Sequence, residues 1–142
     1  MLRTIQTASE NFCIHQIREE HKISDGITKK KTLIAYIDID ANDSTKYRVY
    51  LASDEAFMQR VSKIFLEEDE SDEETLIDMT LELANLIIGS AKVIAEEEDK
   101  RPYTINTPHF EKLGIFDFEV DDSKTIIIDS DEMSIAIKEL HA

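Results

Sequence analysis

The sequence predicts an α+β fold in which an antiparallel β-sheet packs against two long helices. Three observations carry this expectation. Apolar and polar residues alternate over residues 31–40 and again over 47–51, which is the period of a half-buried strand. The period then lengthens to helical spacing over residues 57–65 and 76–94. Alternation returns between residue 103 and the end of the chain. Strands, then helices, then strands describe segregated layers rather than a repeated strand–helix alternation.

Residues 1–10 show no period and predict no ordered element. Residues 12–23 read as a weak strand through Phe12, Ile14 and Ile17. Asp25-Gly26 is a turn signal, because glycine accepts positive φ without a steric penalty. Leu33, Ala35, Ile37 and Ile39 then share one face of a strand, and Tyr47, Val49 and Leu51 share a face of the next. Ser53 is placed to cap a helix, with Asp54 and Glu55 in its first turn, where negative charge suits the dipole. Phe57, Val61, Ile64 and Phe65 give that helix an apolar face. Residues 67–74 hold seven acidic groups in eight positions, with 67–71 read as a linker. Ser71 and Glu74 have the spacing of a capping box ahead of the longest element, a helix over residues 72–98 spanning roughly 40 Å at ~1.5 Å per residue. Pro102 marks its end. Residues 103–107, the alternation Phe116, Phe118, Val120, the triple isoleucine of 125–129, and Met133, Ile135, Ile137 supply the remaining strands.

The 142 residues suit a single domain. The formal net charge is −15, and it is unevenly placed: residues 1–66 carry nine acids and ten bases, residues 67–142 carry 22 acids and six bases. Such a surface repels nucleic-acid phosphates and anionic lipid, so neither is expected as a partner. No apolar run of membrane-spanning length exists, and residues 1–7 lack the apolar stretch of a secretory signal, so a cytoplasmic location is expected. Cys13 is the only cysteine, which excludes an intramolecular disulfide and a multi-cysteine zinc site.

The long helix carries an anomaly. Asp78, Glu82 and Asn85, with Thr80, are the strongly polar residues between Ile77 and Ile88. At about 100° per residue, Asp78 and Glu82 lie about 40° apart and Asn85 about 20° to the other side of Asp78, so the three share one narrow stripe. Gly89 extends the stripe and leaves space beside it. A solvent-facing edge would account for the two carboxylates. Asn85 is more informative, because asparagine is a poor helix former that competes for backbone hydrogen bonds. A carboxamide both donates and accepts hydrogen bonds, so it can hold a water in line with a phosphoryl group without adding negative charge. A carboxylate one turn away can pair with a cation on a partner.

The pattern Asp78-x3-Glu82-x2-Asn85, followed by Pro108, resembles the signature of the CheC/CheX/FliY chemotaxis phosphatases. Residues 82–92 are similar to that family's motif helix, and residues 104–108 resemble the strand that ends at its proline. The resemblance runs from about residue 11 to the end. It implies an enzyme that hydrolyses the aspartyl phosphate of the response regulator CheY, with Asn85 orienting the attacking water and Glu82 pairing with the regulator's lysine. Asp78 and Pro108 are then supporting motif positions. It implies that Mg²⁺ belongs to the regulator and that this chain binds no cofactor. A single motif favours a CheX-like over a CheC-like member, and CheX-type members are homodimers. The family begins with an amphipathic helix, which this sequence does not announce, so the first helix is expected to be missing. A second reading of the same residues is a non-catalytic binding module for a response regulator or another signalling protein. A third is an acidic adaptor using residues 67–74.

Other motifs are weaker. Asp38-x-Asp40-x-Asn42 begins like a calcium loop but has Asp43 where glycine is required and Val49 where the closing glutamate belongs. Cys13, His15 and His21 lack a fourth ligand at metal-site spacing. His109 follows Pro108, which sets it near the site in sequence without a role.

Overall fold

The computed structural model describes residues 2–41, 44–99 and 103–140. The elements in order are α1 (Leu2–Phe12), β1 (Lys22–Asp25), β2 (Lys31–Ala41), β3 (Lys46–Ser53), α2 (Glu55–Leu66), α3 (Glu73–Asp99), β4 (Tyr103–Ile105), β5 (His109–Ile115), β6 (Asp122–Ile128) and β7 (Asp131–Leu140). The strands form one antiparallel sheet in the order β1-β6-β7-β3-β2, with β4 and β5 both pairing along the remaining edge of β2. The β2–β5 ladder shifts register between Ile34 and Ala35, leaving Glu111 as an extra residue on β5.

The period of two divides each strand between two faces. Leu33, Ile37 and Ile39 of β2, Val49 and Leu51 of β3, Ile126 and Ile128 of β6, and Met133 and Ile135 of β7 form the floor of the main core, under the three helices. The opposite face carries Ile34, Tyr50, Ala52 and Ala136. It is covered by Phe116, Phe118 and Val120, with Tyr50 stacked on Phe118 at 5.1 Å and edge-on to Phe116 at 5.1 Å. Residues 116–120 are therefore not the strand that their alternation predicts. The alternation reports a segment with one face down on the sheet, and it arises without ladder hydrogen bonds.

The first helix is present, contrary to the expectation from the sequence. Leu2, Ile5, Ala8 and Phe12 share a buried face of α1. Thr4 and Ser9 are buried as well, and this breaks the apolar period that would have announced the helix. Ser9 solves its burial locally, donating to the Ile5 carbonyl at 2.8 Å. Phe12 closes α1 rather than opening a strand. Residues Cys13–Ile17 continue as one π-helical turn, and strand pairing starts only at Lys22. Arg3 meets Glu98 at 2.5 Å, while residues around Phe12 face Ile87 and Ser90, so α1 runs antiparallel along α3.

Both helix starts differ by one residue from expectation. Ser53 remains in β3, paired with Leu33 and Met133, and its hydroxyl donates to the Asp54 carbonyl at 2.9 Å rather than capping the helix. Asp54 caps α2 instead, accepting from the Phe57 N–H at 2.7 Å and, on its other oxygen, from the Glu132 N–H at 2.9 Å. Asp72 caps α3 by accepting from the Thr75 N–H at 2.8 Å. Ser71, the expected capping-box residue, turns inward against Ser62, their hydroxyl oxygens 2.5 Å apart. The predicted terminator Pro102 lies outside the described residues.

Candidate functional site

Helix α3 packs chiefly on α1 and β2. Leu76, Met79, Leu83, Ala84, Ile87, Ile88 and Ala91 make its buried side. Thr80 is also buried, and its hydroxyl donates back to the Leu76 carbonyl at 2.7 Å. That leaves the polar stripe for solvent: Asp78, Glu82 and Asn85 are all exposed. Among the described residues, none hydrogen-bonds or ion-pairs with these three side chains. A Cβ built on Gly89 meets nothing within 4 Å, so the surface next to the stripe is open. A helix held on its other sides thus presents two carboxylates and one carboxamide along one solvent-facing edge.

The stripe has apolar shoulders that the sequence did not announce. Phe65, read from its spacing as a core residue of α2, is 39% exposed, Leu66 is 46% exposed, and Leu86 on α3 is 41% exposed. The core face of α2 is formed by Phe57, Met58, Val61 and Ser62 instead. The last turn of α2 leaves Ile64, Phe65 and Leu66 partly in solvent. Phe65 leans on Phe12, their rings 5.8 Å apart. A notch of about 320 Å³ lies between the end of α2 and the start of α3, lined by Leu66, Thr75, Asp78, Met79 and Glu82. A second groove of about 300 Å³ separates α1 from α3, with Phe65, Leu86 and Ser90 on its walls.

The remaining candidates fall elsewhere. Pro108 sits in the connection between β4 and β5, at the edge of the sheet and outside the helical stripe. Asn106 fastens that connection, its backbone and side-chain N–H groups both donating to the Asp38 carbonyl at 2.9 Å. His109 stacks on Tyr36 at 5.3 Å. Tyr36 packs on the sheet face opposite the helices, so sequence proximity to Pro108 misplaces His109. Asp38 accepts from Nε and Nη2 of Arg48, at 2.7 and 3.0 Å, and Asn42 lies outside the described residues. Among the described residues, no three His, Cys, Asp or Glu side chains converge as a metal-ligand set. None of the described helices is long and apolar enough to cross a membrane.

Cys13 is fully buried, and burial, helped by the nearby Glu10 charge, pushes its thiol up to about 12. A thiol reagent near neutral pH is therefore expected to label the folded chain roughly a thousandfold more slowly than the urea-unfolded chain, since thiolate is the reactive form. Equal labelling rates would contradict the packing of α1.

The model of the family described as "Chemotaxis phosphatase CheX" matches residues 35–129, well over half of the chain. The chain belongs to the CheX family. CheX from Vibrio vulnificus superposes with a TM-score of 0.79 at 17% identity, covering 96% of this chain and 97% of its own. CheX from Borrelia burgdorferi, solved as a complex with CheY, BeF3 and Mg²⁺, gives 0.75 at 14% identity, covering 99% and 97%. FliY from Thermotoga maritima gives 0.58 at 13% identity, covering 94% and 83%. A search of curated proteins finds no match. The Vibrio CheX overlap leaves no helix-sized remainder on either chain, in keeping with the presence of α1 in this CheX-family fold.

Proposed function

We propose that this chain hydrolyses the aspartyl phosphate of a CheY-like response regulator, with Asn85 orienting the attacking water and Glu82 anchoring the regulator. The observation that carries the reading is the unpaired, exposed Glu82–Asn85 pair on one stripe of α3, in a chain of the chemotaxis phosphatase CheX family. The Borrelia CheX complex supports a receiver protein as the partner.

Charge decides which group approaches the phosphate. The motif half of the chain is strongly acidic, so its carboxylates are repelled by a phosphoryl group. Asn85 is the neutral member of the stripe. Its carboxamide can hold a water by accepting one O–H and presenting the oxygen lone pair to phosphorus. The water oxygen then forms the new P–O bond, the bond to the aspartyl oxygen breaks with its electron pair returning to the carboxylate, and the water's protons leave with inorganic phosphate. A Mg²⁺ carried by the regulator supplies neutralisation of phosphoryl charge. Glu82, one turn from Asn85, meets a cation of the regulator, and Asp78 continues the same edge. Phosphoryl transfer is largely a matter of positioning, so a rigid helix with one amide is sufficient machinery.

The test is the decay of phosphorylated CheY-type regulator in Mg²⁺, with and without the chain. Acceleration over the regulator's own hydrolysis is expected, and its absence would sink the proposal. In the same assay Glu82→Ala should weaken regulator binding about 30-fold, because truncation leaves the partner's cation unpaired in the interface. Unchanged binding would remove the anchoring role from Glu82.

A further inference from the structure

The notch between α2 and α3 is polar on one side and apolar on the other, and the connection that leads from it is acidic. Leu66 and Met79 give it an apolar wall, and Asp78 and Glu82 stand at its edge. Glu67, Glu68, Asp69 and Glu70, all exposed, follow Leu66 directly. No Lys, Arg or His occurs between Lys63 and Lys92, while that interval holds nine Asp and Glu.

The acidic connection is tied down where it ends, at Ser71. Gln59 on α2 donates to the Ser71 carbonyl at 2.7 Å and accepts from the Ser71 N–H at 2.9 Å. The Ser62–Ser71 hydroxyl contact adds a third tie. The connection thus leaves α2 at Leu66 and is tied back to α2 at Ser71.

We infer that this notch is a specificity pocket that takes a segment of the regulator carrying a bulky apolar side chain flanked by Lys or Arg. The inference rests on the reading above for the identity of the partner. Half-exposed Leu66 against Met79 supplies the apolar contact, and the unneutralised acids select the flanking cations. The notch shares Glu82 with the stripe, so a segment seated there sits beside the regulator's phosphorylated end. The acidic run that the sequence offers as a solvated linker then has a task, which is choosing among regulators rather than assisting the chemistry.

The experiment measures binding of regulator loaded with beryllofluoride and Mg²⁺, at low and high salt, independently of hydrolysis. Wild-type affinity should fall with salt. The double reversal Glu68→Lys, Glu70→Lys should weaken binding about tenfold at low salt and flatten the salt dependence. Leu66→Ser, on an exposed position, should weaken binding about fivefold at either salt. The charge-matched control Glu97→Lys, Glu119→Lys should bind as wild type. Equal affinities for the wild type and the loop reversal at both salts would overturn the inference, as would an equal loss in the control. Self-association of the wild type that the loop reversal abolishes, with regulator affinity unchanged, would assign the notch to a second copy and overturn it too. Binding that behaves as expected without hydrolysis would support this inference and defeat only the phosphatase reading.

Discussion

Asn85→Ala is expected to slow regulator dephosphorylation roughly a hundredfold or more while leaving regulator affinity within about twofold. The size follows from the role. An amide that positions water contributes in the transition state, and little of its effect appears in docking. The side chain is exposed and makes no hydrogen bond with a described residue, so its removal leaves no buried group unsatisfied and folding should be preserved. Asn85→Asp sharpens the test. It keeps size and shape but places a negative charge where the phosphoryl oxygens arrive, so it should lose both rate and affinity. Steady-state rates paired with binding of the beryllofluoride-loaded regulator separate the two effects. A rate for Asn85→Ala within about threefold of wild type would reassign the water to another group.

Ile5→Asp is expected to unfold the chain at room temperature. Ile5 is completely buried in the main core beneath α1. An uncompensated carboxylate there costs several kcal/mol, comparable to the ~5–15 kcal/mol stability of a small domain. Ile5→Ala is the milder version, expected to cost about 3 kcal/mol with an unchanged urea m-value. Surviving Ile5→Ala protein should retain most of its hydrolysis at low temperature, because α1 supports α3 without touching the chemistry. If Ile5→Asp unfolds within about 0.5 kcal/mol of wild type, α1 is not part of the cooperative unit.

How much of this was legible in the sequence differs by element. The central strands are, because β2, β3 and β7 line the face under the helices with aliphatic residues and alternate them with mostly smaller or polar-tipped ones on the opposite face, itself covered by Phe116 and Phe118: residues 31–40 are expected and Lys31–Ala41 is found. Helix α3 was, because its length and apolar content admit little else, and Glu73–Asp99 is displaced by one residue from 72–98. Helix α1 was hidden by Thr4 and Ser9, which are buried but polar. The segment around Phe116 and Phe118 imitated a strand by lying face-down on one. The caps shifted because Ser53 and Ser71 had prior engagements, one in the sheet and one with Ser62 and Gln59, which no local pattern reveals.

The site divides along the same line. Asp78, Glu82 and Asn85 share a stripe because helix geometry alone places them there, and the fold leaves that stripe in solvent. The apolar shoulders were not legible. Phe65 and Leu66 continue the helical pattern of α2, and only the packing around the final turn decides that they stay partly exposed. Pro108 matches the family's spacing, and it lies in the β4–β5 connection at the sheet edge, outside the stripe. The charge of −15 reads differently once placed on the fold: its densest part frames the notch beside Glu82, which makes the neutrality of Asn85 the expected condition for approaching a phosphate.

Catalysis by this chain is decided by turnover. The chain is added at a small fraction of the concentration of phosphorylated regulator in Mg²⁺, and inorganic phosphate is followed with time. A catalytic chain releases many phosphates per molecule, at a rate proportional to chain concentration and saturating with regulator. Release that never exceeds the regulator's own hydrolysis, at any concentration of chain, would contradict it.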